Sequence, residues 1–221
     1  MYRGKLYVEG RDDRHVILHL AKGLDAVEKP EGPGVEIDEC EGDEGVLRAM
    51  SVAVKAAAGN ESAAVGFVLD ADKTVDQRWR QVCGVLEPLG SQLGDLPKDA
   101  PKDGFIRELP GLGVRLGVWI MPDNRTNFGK LEDLVAALVP DGDALFVHSQ
   151  QSTAAAARIE RRFSEPDWRK AELHCWLAWQ EHPGLPYGAA INAKYLQAGK
   201  PAAKSFLDWY TRLFEAESLQ S

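Results

Sequence analysis

The chain has 221 residues, 44% hydrophobic and 27% charged, which is the balance of a globular protein with a sizeable core and excludes a disordered or fibrous one. Its 26 Lys+Arg against 34 Asp+Glu give a net charge of −8, which excludes a protein that holds nucleic acid by bulk electrostatics. No apolar run approaches the roughly 20 residues of a bilayer span, and the charged start MYRGKLYVEGRDDR leaves no room for a signal-peptide core, so no membrane association is expected.

Cys40, Cys83 and Cys175 are odd in number, far apart and without CxxC spacing, so neither a disulfide framework nor a zinc knuckle is expected and a reducing cytoplasm suits the chain. The acid is unevenly spread. Residues 151–221 hold 9 Lys+Arg and 8 Asp+Glu, net +1, which leaves −9 on the first 150.

In chain order, Lys5–Val8 reads as a short strand ending in Glu9-Gly10. Asp12 is placed to cap a helix through Ala21, whose apolar face carries Val16, Ile17 and Leu20. Val35–Cys40 is a second strand and Glu44–Ala58 an alanine-rich helix. The continuous apolar run Ala64–Leu69 predicts a strand buried on both faces. Thr74-Val-Asp-Gln77 has the capping-box form and opens a helix to about Leu86. The stretch 87–104 is rich in Pro, Gly and Asp and predicts a long exposed excursion. Gly104–Leu109 is a short extra strand, Val114–Met121 a strong one, and Gly129–Val139 a helix. Beyond residue 141 the pattern is helical over about 143–163, 165–181, 189–197 and 202–216. Strand–helix alternation implies an α/β fold, a largely parallel sheet with helices on both faces over residues 1–140, and a helical C-terminal extension over 141–221 packed on it.

Ligands of open parallel sheets bind outside the carboxyl ends of the strands. Three of the predicted strands end in acid, at Glu9, at Asp70-Ala-Asp72 and at Asp123, and Glu132-Asp133 opens the helix after the third. Strand alternation places Asp70 and Asp72 on one side. Carboxylates so close repel unless a cation neutralises them, and an all-oxygen set suits Mg²⁺ or Mn²⁺. Asp after a strand also serves as a turn residue or helix cap, and that reading stands beside the metal reading.

The segments Leu6-Tyr7-Val8-Glu9-Gly10 and Phe67-Val68-Leu69-Asp70-Ala71-Asp72 resemble the Toprim domain of topoisomerases, DnaG-type primases and the overcoming-lysogenisation-defect nucleases. The resemblance implies a Toprim-like, Rossmann-like sheet, with Glu9 as general acid/base and Asp70 and Asp72 as Mg²⁺ ligands. Met121-Pro122-Asp123 with Gly129–Leu134 is similar to the later part of small Toprim-like proteins near the nuclease branch. That similarity implies a second metal site from Asp123, Glu132 or Asp133 and a downstream lysine, here Lys170. Topoisomerase and primase companions are missing from the sequence, so the resemblance points to a nuclease, in anti-phage or repair work by analogy, with an ATPase as a possible separate partner. The chemistry is coherent by itself: two cations about 3.5–4 Å apart can position the attacking water and neutralise the leaving oxygen of a phosphodiester.

Other patterns compete. Asp70-Ala-Asp72-Lys-Thr74 also fits the D-x-D-x-T signature of haloacid-dehalogenase-type phosphatases, with Asp70 as nucleophile, although Thr74 is equally a helix cap. A non-catalytic Toprim-like module that binds nucleic acid or a partner protein is a further alternative. Gly111-Leu-Gly113-Val-Arg-Leu-Gly117 precedes a strand and reads as a turn, not a dinucleotide loop. His15 and His19 share a helix face without the glutamate of a zinc motif. Arg158, Arg161, Arg162 and Arg169, interleaved with Trp168, Trp176 and Trp179, form either a DNA- or RNA-binding face or a solvated face over core tryptophans.

Overall fold

The computed structural model describes residues 4–22, 34–57 and 63–214. In β1 (Gly4–Val8) Leu6 and Val8 are buried on one face, while Tyr7 turns to the other and stacks on Phe67 with ring centroids 5.2 Å apart. β2 (Val35–Glu39) is the exposed edge. β3 (Ala63–Asp70) and β5 (Val114–Met121) fill the centre and are apolar on both faces: Phe67, Leu69, Val118 and Ile120 enter one core, Val68, Trp119 and Met121 the other. The strand order is β2-β1-β3-β5-β4, parallel throughout except for β4 (Phe105–Leu109), which pairs antiparallel with β5 across the turn 110–113. The glycine-rich stretch at 111–117 is therefore a hairpin turn and the strand after it.

Helices cover both faces. α2 (Asp43–Ala57) and α3 (Val75–Leu86) lie on the Phe67 side. α1 (Arg11–Ala21), α4 (Leu131–Ala137), α6 (Trp168–Leu177), α7 (Tyr187–Asn192) and α8 (Pro201–Phe214) lie on the Trp119 side, where one apolar cluster joins residues of the first 140 to residues 173–213. α8 sits directly on the sheet because two glycines, Gly66 and Gly117, pair across β3 and β5. A Cβ on Gly117 would meet Leu213 at 2.6 Å and Trp209 at 3.1 Å, so the missing side chains are what admits this helix. Trp209 completes the contact by donating to the carbonyl of Phe105 at 3.1 Å.

Several boundaries differ from those read in the sequence. α1 begins at Arg11, with Gly10 at the N-cap, because Asp13 reaches back to accept the Gly10 N–H at 3.1 Å; Asp12 is inside the first turn. The helix read over 143–163 is α5 (Ala144–Ile159) and stops when Glu160 turns extended, at φ −159°. The stretch 165–181 is a 3-10 turn, Glu165–Asp167, followed by α6. The piece read at 189–197 is α7, which begins two residues earlier and ends at Asn192. Ala58 and residues 215–216 lie outside the described residues. The 87–104 excursion opens with a 3-10 turn (Glu87–Gln92) and is tied down by Trp79, which donates to the Pro97 carbonyl at 2.9 Å, and by Arg107, which donates to Leu93 and Asp95 carbonyls.

Candidate active site

β1 and β3 are neighbours and run the same way, so their last residues emerge together at one end of the sheet. Glu9 and Asp70 meet there. The Asp70 N–H donates to Glu9 Oε1 at 2.8 Å, and Asp70 Oδ1 accepts the N–H of Leu131, the first residue of α4, at 3.0 Å. The cleft above them, about 460 Å³, is lined by the acidic residues Glu9, Asp12, Asp13, Asp70, Glu132 and Asp167. Arg11, Lys130 and Lys170 line it too. Two other concavities, one at residues 83–96 and one between α2 and α3, hold no comparable cluster of titratable groups.

Crowding has electrostatic consequences. Burial pushes the Glu9 carboxyl from 4.5 up to about 7, against the Asp70 N–H that favours its ionised form. Burial likewise raises Asp13 to about 7. Asp70 is raised well above the ordinary range, first by burial and then by the charges of Glu9, Asp13, Glu132 and Asp72. Burial alone would lower Lys130, but Asp72, Asp70 and Glu132 outweigh it and raise its pKa. At neutral pH, then, protons hold these carboxylates together unless a cation does.

Asp72 lies outside that group. It sits past the end of β3 with φ 55°, and the strand alternation that would have aligned it with Asp70 no longer applies. Its carboxylate is held by the Arg78 guanidinium at 2.5 Å and by Lys130 at 3.6 Å. Arg78, 3% exposed, projects from the buried face of α3. It also donates to the Asp70 carbonyl at 2.8 Å, to Asp43 at 2.8 Å and to Gln81 at 3.0 Å. Thr74 accepts the Gln77 N–H at 3.1 Å and so spends its hydroxyl as the cap of α3.

Asp123 is turned to its own loop, accepting from the N–H groups of Arg125 and Thr126 at 3.0 and 2.8 Å and from the Thr126 hydroxyl. Asp133 accepts the Lys130 N–H at 2.9 Å and faces Arg169 at 3.5 Å, while Glu132 faces Lys170 at 3.3 Å. Of the acidic residues singled out in the sequence, Glu9, Asp70 and Glu132 therefore share the cleft with Lys170. Asp72, Asp123 and Asp133 are engaged elsewhere.

The donor chemistry of Glu9, Asp70 and Glu132 fits a hard divalent cation: all oxygen, partly buried and mutually repelling. Among the described residues, however, no three His, Cys, Asp or Glu side chains stand together closely enough to hold a metal ion as they are placed.

The sequence profile of the family described as "Protein of unknown function (DUF3226)" matches residues 3–215. The chain belongs to the DUF3226 family. Among solved structures it is similar to the C-terminal region of the Burkholderia pseudomallei OLD protein, with 15% identity, a TM-score of 0.46, and 95% of this chain and 97% of that one covered. No curated protein matches the sequence. No helix among the described residues is long and apolar enough to cross a membrane.

In this DUF3226 chain the arginines do not form the single helical face expected of them, because α5 ends before Arg161 and Arg162. Arg161 pairs with Glu165, Arg162 with Glu160 at 2.9 Å, and Arg169 with Glu172 at 2.6 Å; none of these, nor Arg158, lines the cleft. Trp176 is core, whereas Trp168 is half-buried and Trp179 is exposed, packed on His148. His19 is covered by α7, where a Cβ on Gly188 would meet it at 2.8 Å.

Residues that the sequence reading passed over include Asp13, Arg78 and Lys130. Asp13 was legible from Gly10-x-x-Asp13, the spacing of an N-cap and the acceptor at the third helical position. Arg78 stood in the stripe Val75, Arg78, Trp79, Val82, Leu86, and a charge in an apolar stripe marks a buried ion pair. Lys130 carried no local signal.

The loops after β3 and β5 are hydrogen-bonded to each other. Ala71 N–H donates to the Gly129 carbonyl at 2.9 Å, Phe128 N–H to the Lys73 carbonyl at 2.8 Å, and Val75 N–H to Asn127 Oδ1 at 3.1 Å. Gly129 permits this approach: a Cβ there would lie 2.2 Å from Pro122 Cδ and 2.9 Å from the Thr126 carbonyl. Gly129→Ala is expected to cost about 1–3 kcal/mol through overpacking. Calorimetry checks it, and an unchanged melting temperature would show that the loop yields freely.

Proposed function

We propose that this chain is a divalent-metal-dependent phosphodiesterase acting on DNA or RNA. The observation that supports it is the meeting of Glu9 and Asp70 at the ends of adjacent parallel strands, in one cleft with Glu132 and two lysines. Asp70 and Glu132 would hold Mg²⁺ or Mn²⁺, and such a cation supplies Lewis-acid neutralisation of charge developing on the phosphate. Glu9, fixed beside Asp70 by its N–H, is placed either to join those ligands or to take a proton from the attacking water. Lys130 and Lys170, which line the same cleft, would balance the phosphate charge. Leu131 N–H, fixed at the start of α4, orients the Asp70 carboxylate. Since these groups address phosphate and not bases, the reading covers both nucleic acids, and it needs no ATPase partner for the chemical step.

Labelled single-stranded DNA, duplex DNA and tRNA incubated with Mg²⁺ or Mn²⁺ test it. Asp70→Asn and Glu9→Gln are each expected to reduce cleavage about 100-fold or more, the scale of a lost general base. Equal rates in wild type and both variants would overturn the proposal.

A second reading, a non-catalytic module that binds nucleic acid or a partner, is favoured by the commitment of Asp72 to Arg78 and Lys130. Retained nucleic-acid or partner binding with no thermal shift on adding Mg²⁺ or Mn²⁺ would select it over the first.

A further inference from the structure

Beside the cleft stands an aromatic ring that packing does not explain. Phe128 is 71% exposed. Its backbone is nonetheless held at φ 59°, a left-handed conformation that costs a residue with a side chain about 1 kcal/mol or more. The cost is offset by the bonds of Phe128 N–H to Lys73 and of Gly129 to Ala71, and by the Asp123 carboxylate that closes the turn beneath Arg125 and Thr126. A ring on a backbone fixed in this way is displayed, whereas Ile159, at 89% the most exposed large hydrophobic, simply ends a helix.

Two exposed cationic residues belong to the same pair of loops. Lys73, whose carbonyl anchors Phe128, is exposed and enters no ion pair among the described residues. Arg125, also exposed, reaches Asp103 only at 3.5 Å. Lys130, on the cleft wall, is two residues on, so its Cα lies within about 7.6 Å of that of Phe128. The ring is therefore carried on the same short loop as a cleft-lining lysine.

We propose that Phe128, flanked by Lys73 and Arg125, is a stacking platform for an unpaired nucleobase next to the phosphate bound in the cleft, and that the substrate is single-stranded nucleic acid or a frayed end. The inference rests on the phosphodiesterase reading and adds its substrate class. A base inside a duplex has both faces already covered by neighbours, so only an unpaired base can lie on the ring. The lysine and arginine at either side meet the backbone of the same strand.

Fluorescence anisotropy with labelled dT12 and a 12-base-pair duplex, in Ca²⁺ buffer, provides the test. Wild type is expected to bind dT12 more tightly than the duplex. Phe128→Ala is expected to weaken dT12 binding about tenfold or more and leave duplex binding nearly unchanged, with Phe128→Trp restoring it and Ile159→Ala without effect. Equal dT12 affinity for wild type and Phe128→Ala overturns this inference alone. A wild type that binds neither probe overturns the phosphodiesterase reading with it. If Phe128→Ala instead abolishes self-association in sedimentation while dT12 binding persists, the ring serves a protein contact and the inference fails.

Discussion

Replacing Arg78 with Met is expected to lower stability by about 2–4 kcal/mol, within the range for removing one partner from a buried ionic network. For a chain of this size each kcal/mol shifts the melting temperature by about 2–4 °C, so a loss of roughly 5–15 °C should be seen by calorimetry. The guanidinium is 3% exposed, and its three nitrogens point in three directions: Nε to the Asp70 carbonyl, Nη1 to Asp43 and Gln81, Nη2 to Asp72. Removing it leaves Asp43 without its counter-charge, Asp72 with Lys130 alone at 3.6 Å, and the Asp70 carbonyl without the guanidinium donor. Lysine is expected to recover little, because one ammonium cannot replace a planar fork that serves four partners. Arg80→Met supplies the comparison: that side chain is exposed, bonds only to the Asp76 carbonyl one turn back, and should change stability by less than about 0.5 kcal/mol. An Arg78→Met protein that melts with wild type would show the network to be neutral against apolar packing.

In metal-free buffer the protein is expected to lose stability as pH rises from about 4 to about 7. Glu9 titrates at about 7 in the folded chain against 4.5 as a free side chain, and Asp13 at about 7 against 3.8. The unfolded chain therefore releases these protons first. Between about pH 4 and 7 the folded state binds more protons, so stability falls with pH across that window and levels off above it, by a few kcal/mol in total. Asp70, raised furthest, adds to the same trend. Asp70→Asn removes that charge and keeps an oxygen for the Leu131 N–H. It should melt several degrees above wild type at pH 8 without metal, while losing the thermal shift that Mn²⁺ gives wild type. Such a trade of stability for a charged site is a common mark of function. A wild-type melting temperature that rises between pH 5 and 8, or an Asp70→Asn variant that melts lower at pH 8, would contradict the account of the cleft.

The alternation of apolar runs and helical stripes made the sheet readable, because central strands such as Ala64–Leu69 must be apolar on both faces. The meeting of Glu9 and Asp70 was readable for a related reason: neighbouring parallel strands end at the same edge. What the sequence did not disclose was where strand geometry stops. Asp72 lies beyond it, in a left-handed residue whose side chain is steered by an arginine six positions on. Asp123 was equally a strand-end acid, and its own following N–H groups captured it. The end of the helix after Ile159 was not legible, because no glycine or proline marks it, and the turn at Glu160 separates Arg158 from Arg161 and Arg162. Phe128 carried no periodic signal at all; its display depends on hydrogen bonds to a loop more than fifty residues earlier in the chain.

The bonds between the loops after β3 and β5 tie their lengths together. Lys73 and Ala71 meet Phe128 and Gly129 by position, backbone to backbone. One residue inserted in either loop would carry every later partner out of register, and only a matching insertion in the other could restore it. Change at this edge of the sheet is thereby channelled into side chains: the tip can exchange its ring or its charges freely, while the path of the chain that carries them stays fixed.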